Sequence, residues 1–172
     1  RGTDVSVIMD LMIHDIDIIL NINKSKVKKI DASGVSIISS TPDIANARIE
    51  FENGCIANLT SSRISLKKMR KTRVFQENAY ISINFLEKDF QVVKIRDKHT
   101  NDNDNSLVIK NNLGEEKVIF FEKPDINKIN SIEAELNDFF DSIQNKSESK
   151  VSLNDGLLAL EVAEEIMSQL WV

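Results

Sequence analysis

The chain has 172 residues, 41% hydrophobic and 28% charged, with five glycines, two prolines and a formal net charge of −5. That profile excludes collagen-like and low-complexity classes and suits one globular domain able to bury about two-thirds of its unfolded surface. The lone cysteine, Cys55, excludes an internal disulfide and points to a reducing compartment, the cytoplasm. No apolar run approaches the ~18 residues of a membrane span, and the acidic balance argues against nucleic acid as a partner.

The opening RGTDVS carries no signal-peptide pattern, and the expectation is a piece of a longer protein. Residues 8–22 then place apolar side chains at helical spacing. At about 100° per residue, Asp10, His14, Asp17 and Asn21 share a stripe about 60° wide, opposite a broad arc of Ile, Leu and Met. Asp15 falls inside that arc, where an ionised carboxylate needs a partner. The stripe has two readings. It is the solvent side of a core helix, or it is a functional face. It contains no Lys, Arg or Glu, the usual occupants of solvated helix faces. It also sets carboxylates beside an imidazole, an arrangement that orients the ring and stabilises its charged form for acid–base work. The wheel leaves both readings open.

From residue 27 to about 95 the pattern turns to alternation rich in Ile, Val, Phe and Thr, predicting strands over 27–39, 44–51, 55–66, 70–76, 79–86 and 90–96. Between the second and third lies FENGCI, whose Asn53-Gly54 predicts a two-residue type I′ hairpin. That turn would set Glu52 opposite Cys55, Glu50 opposite Ala57 and Ile49 opposite Asn58, leaving neither sheet face cleanly polar. Either both faces are covered, one by helices and one by another subunit, or the sheet tolerates exposed apolar residues.

The segment SRISLKKMRKTR concentrates Arg63, Lys67, Lys68, Arg70, Lys71 and Arg73. It reads as a charged connector that protects sheet edges, or as a site for a phosphate-bearing substrate. Arg63, within a predicted strand, is the better candidate for a ligand contact or a buried ion pair. His99 lies in the polar loop 98–106, and Cys55 reads as packing rather than chemistry. NDNDN in that loop lacks the glycine and terminal glutamate of a calcium loop, so no metal is expected. Short strands over 107–111 and 117–121 follow, then an amphipathic helix from Ile126, a linker over 145–150, and a last helix capped by Asn154 or Asp155. The order predicts an α+β fold.

Asp10-x-x-x-His14-x-x-Asp17 in DLMIHDID resembles the C-terminal half of the Gfo/Idh/MocA (glucose–fructose oxidoreductase/inositol dehydrogenase) family. So do IDASGVSI, PDIANARIEFENGCIANLTSSRIS, AYISINFL and the closing NDGLLALEVAEEI. The likeness spans nearly the whole chain. It implies an open, mostly antiparallel sheet with helices on one face, similar to the C-terminal domain of dihydrodipicolinate reductase. Residues 1–172 would then form a substrate-binding and oligomerisation domain. It further implies a separate Rossmann domain binding NAD or NADP, a sugar-like substrate, and a homo-oligomer built through the sheet. By the same resemblance His14 matches the acid/base, Asp10 the residue touching substrate and His14, and Asp17 a substrate-side motif position. The sequence has no Gly-x-Gly-x-x-Gly, and its Glu122-Lys123-Pro124 lies far downstream of His14, so the Rossmann half is expected to be absent and this chain alone inactive.

Overall fold

A computed structural model describes residues 5–97, 107–110, 112–124, 126 and 129–170. The predicted polar loop, with His99 and NDNDN, lies outside the described residues. The fold is α+β, as expected, but the strands divide between two antiparallel sheets rather than forming one. They belong to two units, residues 1–66 with 131–172, and residues 67–130.

In the first unit a π-helical turn, Ile8–Met12, runs directly into helix α1, Ile13–Ile22. Strands β1 (Val27–Val35), β2 (Ile44–Phe51) and β3 (Ile56–Ser62) follow as a meander. The hairpin loop is longer by one residue than the type I′ turn predicted. Gly54 adopts φ +83°, Asn53 does not adopt positive φ, and the N–H of Gly54 bonds the carbonyl of Phe51 while Phe51 N–H bonds that of Cys55. This is a type I turn followed by a left-handed glycine, the three-residue alternative to type I′.

The extra loop residue moves the register by one, so Glu50 pairs with Ile56, Ile49 with Ala57 and Arg48 with Asn58. Because side chains alternate with period two, that single step re-sorts both faces. Ala45, Ala47, Ile49, Phe51 and Ala57 now share one buried face with Ile30 of β1. Asp31, Asn46, Arg48, Asn58 and Thr60 share the other. The mixed faces expected from the sequence are thereby corrected: this sheet is apolar inside and polar outside, and it needs no second layer on its outer face. Cys55 is exposed at the hairpin, not packed.

The inner face is covered by α1 and by α3, Leu153–Ser168. Ile8, Met12 and Ile16 are fully buried at i, i+4 and i+8, and Ala163 and Ile166 meet the same cluster from α3. Small residues suit this seam. A Cβ on Gly34 would lie 3.0 Å from Leu170 Cδ1 and 3.2 Å from both the Ile44 carbonyl oxygen and Pro42 Cβ. Strand β1 is an edge strand, and the Gln169 side chain completes it: its amide donates to Ile30 O (2.8 Å) and accepts from Ala32 N (2.9 Å). The cap of α3 is Ser152, not Asn154 or Asp155. Ser152 Oγ accepts from Asp155 N while the Asp155 carboxylate accepts from Ser152 N, a capping box with Asp155 at its third position. Helix α2, Ser131–Asn145, starts five residues later than predicted, and its Leu136, Phe139, Phe140 and Ile143 are exposed.

The second unit is a five-stranded sheet, ordered β4 (Lys71–Gln76), β5 (Ala79–Asn84), β6 (Asp89–Asp97), β8 (Glu116–Glu122) and β7 (Leu107–Lys110). Phe75, Tyr80, Val93 and Phe121 stand in one cross-strand row, with Phe75 75% and Phe121 65% exposed.

Candidate functional site

The helix bearing the acidic–histidine stripe does not begin as an α-helix. Ile13 N–H reaches the carbonyl of Ile8, five residues back, and Asp10 sits within this π turn. A π turn holds more residues than an α turn, so the uniform angular step used to draw the wheel does not apply across Asp10. Such turns are rare and recur at functional sites. His14 occupies the first turn of α1 and is exposed, while Asp10 and Asp17 are half-buried. Among the described residues no hydrogen bond joins His14 to Asp10 or Asp17.

Asp17 is engaged elsewhere. Its Oδ1 accepts from Asn21 Nδ2 at 3.1 Å, and Asn21 Oδ1 accepts from Lys24 Nζ at 3.0 Å. The C-terminal half of the stripe is thus a polar chain along the helix, whereas Asp10 and His14 form its open end. Asp15, the carboxylate inside the apolar arc, is half-buried and has a partner, as its position demanded.

The entry to the π turn is held from several directions. Ser6 is buried, accepts from Met9 N and donates to Met167 Sδ at 3.3 Å. Val7 N–H bonds Pro42 O, and Arg63 donates from Nη2 to Val5 O. Arg63 follows β3 rather than lying within it. Of the two roles expected for it, the structure places it in the buried ion pair, with Nε 3.7 Å from Asp43 Oδ1 and only 12% of its side chain exposed.

Asp43 is fully buried and escaped notice in the sequence. Its Oδ2 accepts from the N–H groups of Ile37, Ile38 and Ser39 at 2.7–3.0 Å, and its Oδ1 from Ser39 Oγ at 2.7 Å. Burial alone would push this carboxyl up. The Ser39 hydroxyl and the three N–H groups outweigh burial and hold it well below the usual carboxylate range. The available signal was SIISSTPDI, a polar turn with several N–H groups to satisfy and one acid placed to accept them.

The remaining basic residues, Lys67, Lys68, Arg70, Lys71 and Arg73, are exposed. Lys67, Lys68 and Arg70 lie in the connector after β3, and Lys71 and Arg73 fall within β4. Arg70 stacks on the Phe85 ring at 5.2 Å. Lys123, of the out-of-place Glu-Lys-Pro, forms an ion pair with Asp89 at 2.7 Å.

Among the described residues, the two best-formed depressions are lined by none of Asp10, His14 and Asp17. One, about 660 Å³, lies on the second unit between Gln76, Asn78 and Phe120, where Arg96 stacks on Phe120 at 4.4 Å. The other, about 270 Å³, lies on the outer face of β1–β3 among Asp31, Ser33, Asn46, Arg48, Asn58 and Thr60. No group of three or more His, Cys, Asp or Glu able to hold a metal occurs among the described residues, and no helix there is long and apolar enough to cross a membrane.

Residues 2–82 match the family described as the GFO/IDH/MocA C-terminal domain. Over 92 residues the chain is 36% identical to UDP-N-acetylglucosamine 3-dehydrogenase of Acidithiobacillus ferrooxidans, covering 54% of this chain and 29% of that protein. Its fold is similar to the solved structure of a UDP-N-acetylglucosamine 3-dehydrogenase from the same organism, with a TM-score of 0.83 at 26% identity, over 99% of this chain and 50% of that one. It is also similar in fold to levoglucosan dehydrogenase solved with NADH, with a TM-score of 0.74 at 16% identity, over 95% and 47% of the two chains. The chain thus spans about half the length of these solved relatives.

Proposed function

Because residues 2–82 match the GFO/IDH/MocA C-terminal domain family, we propose that this chain is the substrate-binding and oligomerisation part of an NAD(P)-dependent oxidoreductase. The full-length protein would oxidise or reduce a secondary alcohol of a sugar, sugar nucleotide or cyclitol. Sugar-nucleotide substrates are favoured by the 36% identity to a UDP-N-acetylglucosamine 3-dehydrogenase.

All strand pairing described here is antiparallel, and no glycine-rich turn joins a strand to a helix. The residues of this chain therefore do not fit the pyrophosphate of a dinucleotide, which needs such a turn at a helix N-terminus. NAD or NADP is accordingly assigned to a Rossmann domain outside residues 1–172, and this chain alone is expected to be inactive.

The observation that carries the reading is the open end of the stripe: Asp10 half-buried in a π turn, His14 exposed one turn on. His14 takes the proton of the substrate hydroxyl in oxidation and returns it in reduction. Asp10, on substrate binding, orients the ring and accepts from a substrate hydroxyl. Asp17 extends the same polar edge through Asn21. In the full-length protein His14→Asn is expected to lower kcat, with UDP-N-acetylglucosamine and NAD, by about 10²–10⁴. Near-normal turnover would remove His14 from the chemistry.

A second reading, a non-catalytic ligand-binding or dimerisation module, draws support from the exposure of His14, which lines neither depression. Self-association is common to both readings and is supported by the row Phe75, Tyr80, Val93 and Phe121, exposed at its two ends and half-buried between them, since contiguous apolar surface of this kind marks interfaces. Turnover of His14→Asn separates the two.

A further inference from the structure

We propose that the buried Asp43–Arg63 pair is a positioning device for the candidate catalytic helix, holding the chain entry at residues 5–7 and through it the π turn that carries Asp10. The inference rests on the reading of Asp10 and His14 as the acid–base pair.

Three stretches distant in sequence converge on this pair. Asp43 gathers residues 37–39 onto its carboxylate. Its neighbour Pro42 accepts from Val7 N, and Arg63 N–H bonds Asp43 O. The Arg63 guanidinium then reaches past Asp43, with Nη1 3.5 Å from Ser39 Oγ and Nη2 on Val5 O. From Val5–Val7 the path to the site is short: Asp10, within the π turn, donates its N–H to Ser6 O at 3.0 Å, a bond that ties the turn to the chain entry.

A loop cap alone would explain Asp43, since its acceptors are satisfied locally. It does not explain Arg63, whose fork spans from the loop to the helix entry. Nor is stability a sufficient reason for the pair, because buried ion pairs are often replaceable by apolar residues without loss. What two fixed charges and a planar fork supply is a defined geometry. Active-site geometry is sensitive to that: a displacement of about 1 Å from a remote change can cost ~10²-fold in rate.

The test uses the full-length protein with UDP-N-acetylglucosamine and NAD, comparing Arg63→Lys, Asp43→Asn and His14→Asn. Lysine keeps the charge but, as a single point donor, cannot bridge Asp43 and Val5 O together. Arg63→Lys is expected to fold normally by circular dichroism, to lower kcat about 10- to 100-fold with KM close to the parent, and to speed amide exchange at residues 7–10. A purely structural role predicts no such split between kcat and KM. If His14→Asn abolishes turnover while Arg63→Lys leaves kcat and amide exchange unchanged, the positioning role is overturned. If His14→Asn leaves turnover intact, the proposed function falls instead, and unchanged exchange in Arg63→Lys then overturns the geometric link as well. Should Asp43→Asn fail to fold, Arg63→Lys still decides.

Discussion

Gly34→Ala offers a direct test of the packing that seats the sheet against the helices. The added Cβ would stand 3.0 Å from Leu170 Cδ1, 3.2 Å from the Ile44 carbonyl oxygen and 3.2 Å from Pro42 Cβ. Only the leucine methyl is the free end of a flexible side chain. The carbonyl belongs to a strand paired on both sides, and the proline ring precedes Asp43, whose carboxylate fastens the loop. Two of the three neighbours therefore cannot give, and relief must come from displacing β1 or the loop. Overpacking of this kind costs about 1–3 kcal/mol. For a chain of this size each kcal/mol moves Tm by about 2–4 °C, so thermal melting should show a fall between roughly 2 and 12 °C. Leu170→Ala, combined with Gly34→Ala, should recover only part of the loss, because it removes one clash and leaves the two at 3.2 Å. A Gly34→Ala Tm within 1 °C of the parent, or full recovery in the double variant, would refute the argument.

Gly54→Ala should cost about 1–2 kcal/mol although its Cβ would meet nothing within 4 Å, since the penalty is the backbone's alone at φ +83°. Gly54→Asn, which tolerates that conformation, should cost less in chemical denaturation. Asp43 sets an acid limit. The unfolded carboxyl binds its proton near pH 3.9, the folded one only well below that, so in between the unfolded state holds more protons and acid drives unfolding. The contribution is fully present above about pH 4 and is lost as the pH falls further. Asp43→Asn should flatten that limb in urea titrations at pH 2–5, and an unchanged slope would contradict the assignment.

Much of the fold was legible because its causes are local. Apolar spacing over 8–22 and strand alternation over 44–51 are set by the geometry of helix and strand, which repeats in the side-chain pattern. The candidate Asp10, His14 and Asp17 were legible as a stripe for the same reason. What escaped depended on contacts between distant segments. The one-residue change in the Asn53-Gly54 loop was invisible locally, because the same dipeptide serves two turn types, yet it decided which side chains of β2 and β3 are inside. The π turn at Asp10 broke the uniform period on which the helical wheel depends.

By itself, then, the amino-acid sequence determined the element types, the α+β class and the acidic–histidine motif, since each follows from side-chain chemistry within a few residues. Only the tertiary structure decided the role of Asp43. Nothing in SIISSTPDI says that its aspartate will be fully buried, or that Arg63, twenty residues on, will reach past it to the start of the motif helix. A buried charge is tolerable only where its partners converge, and that convergence exists only once the chain has folded.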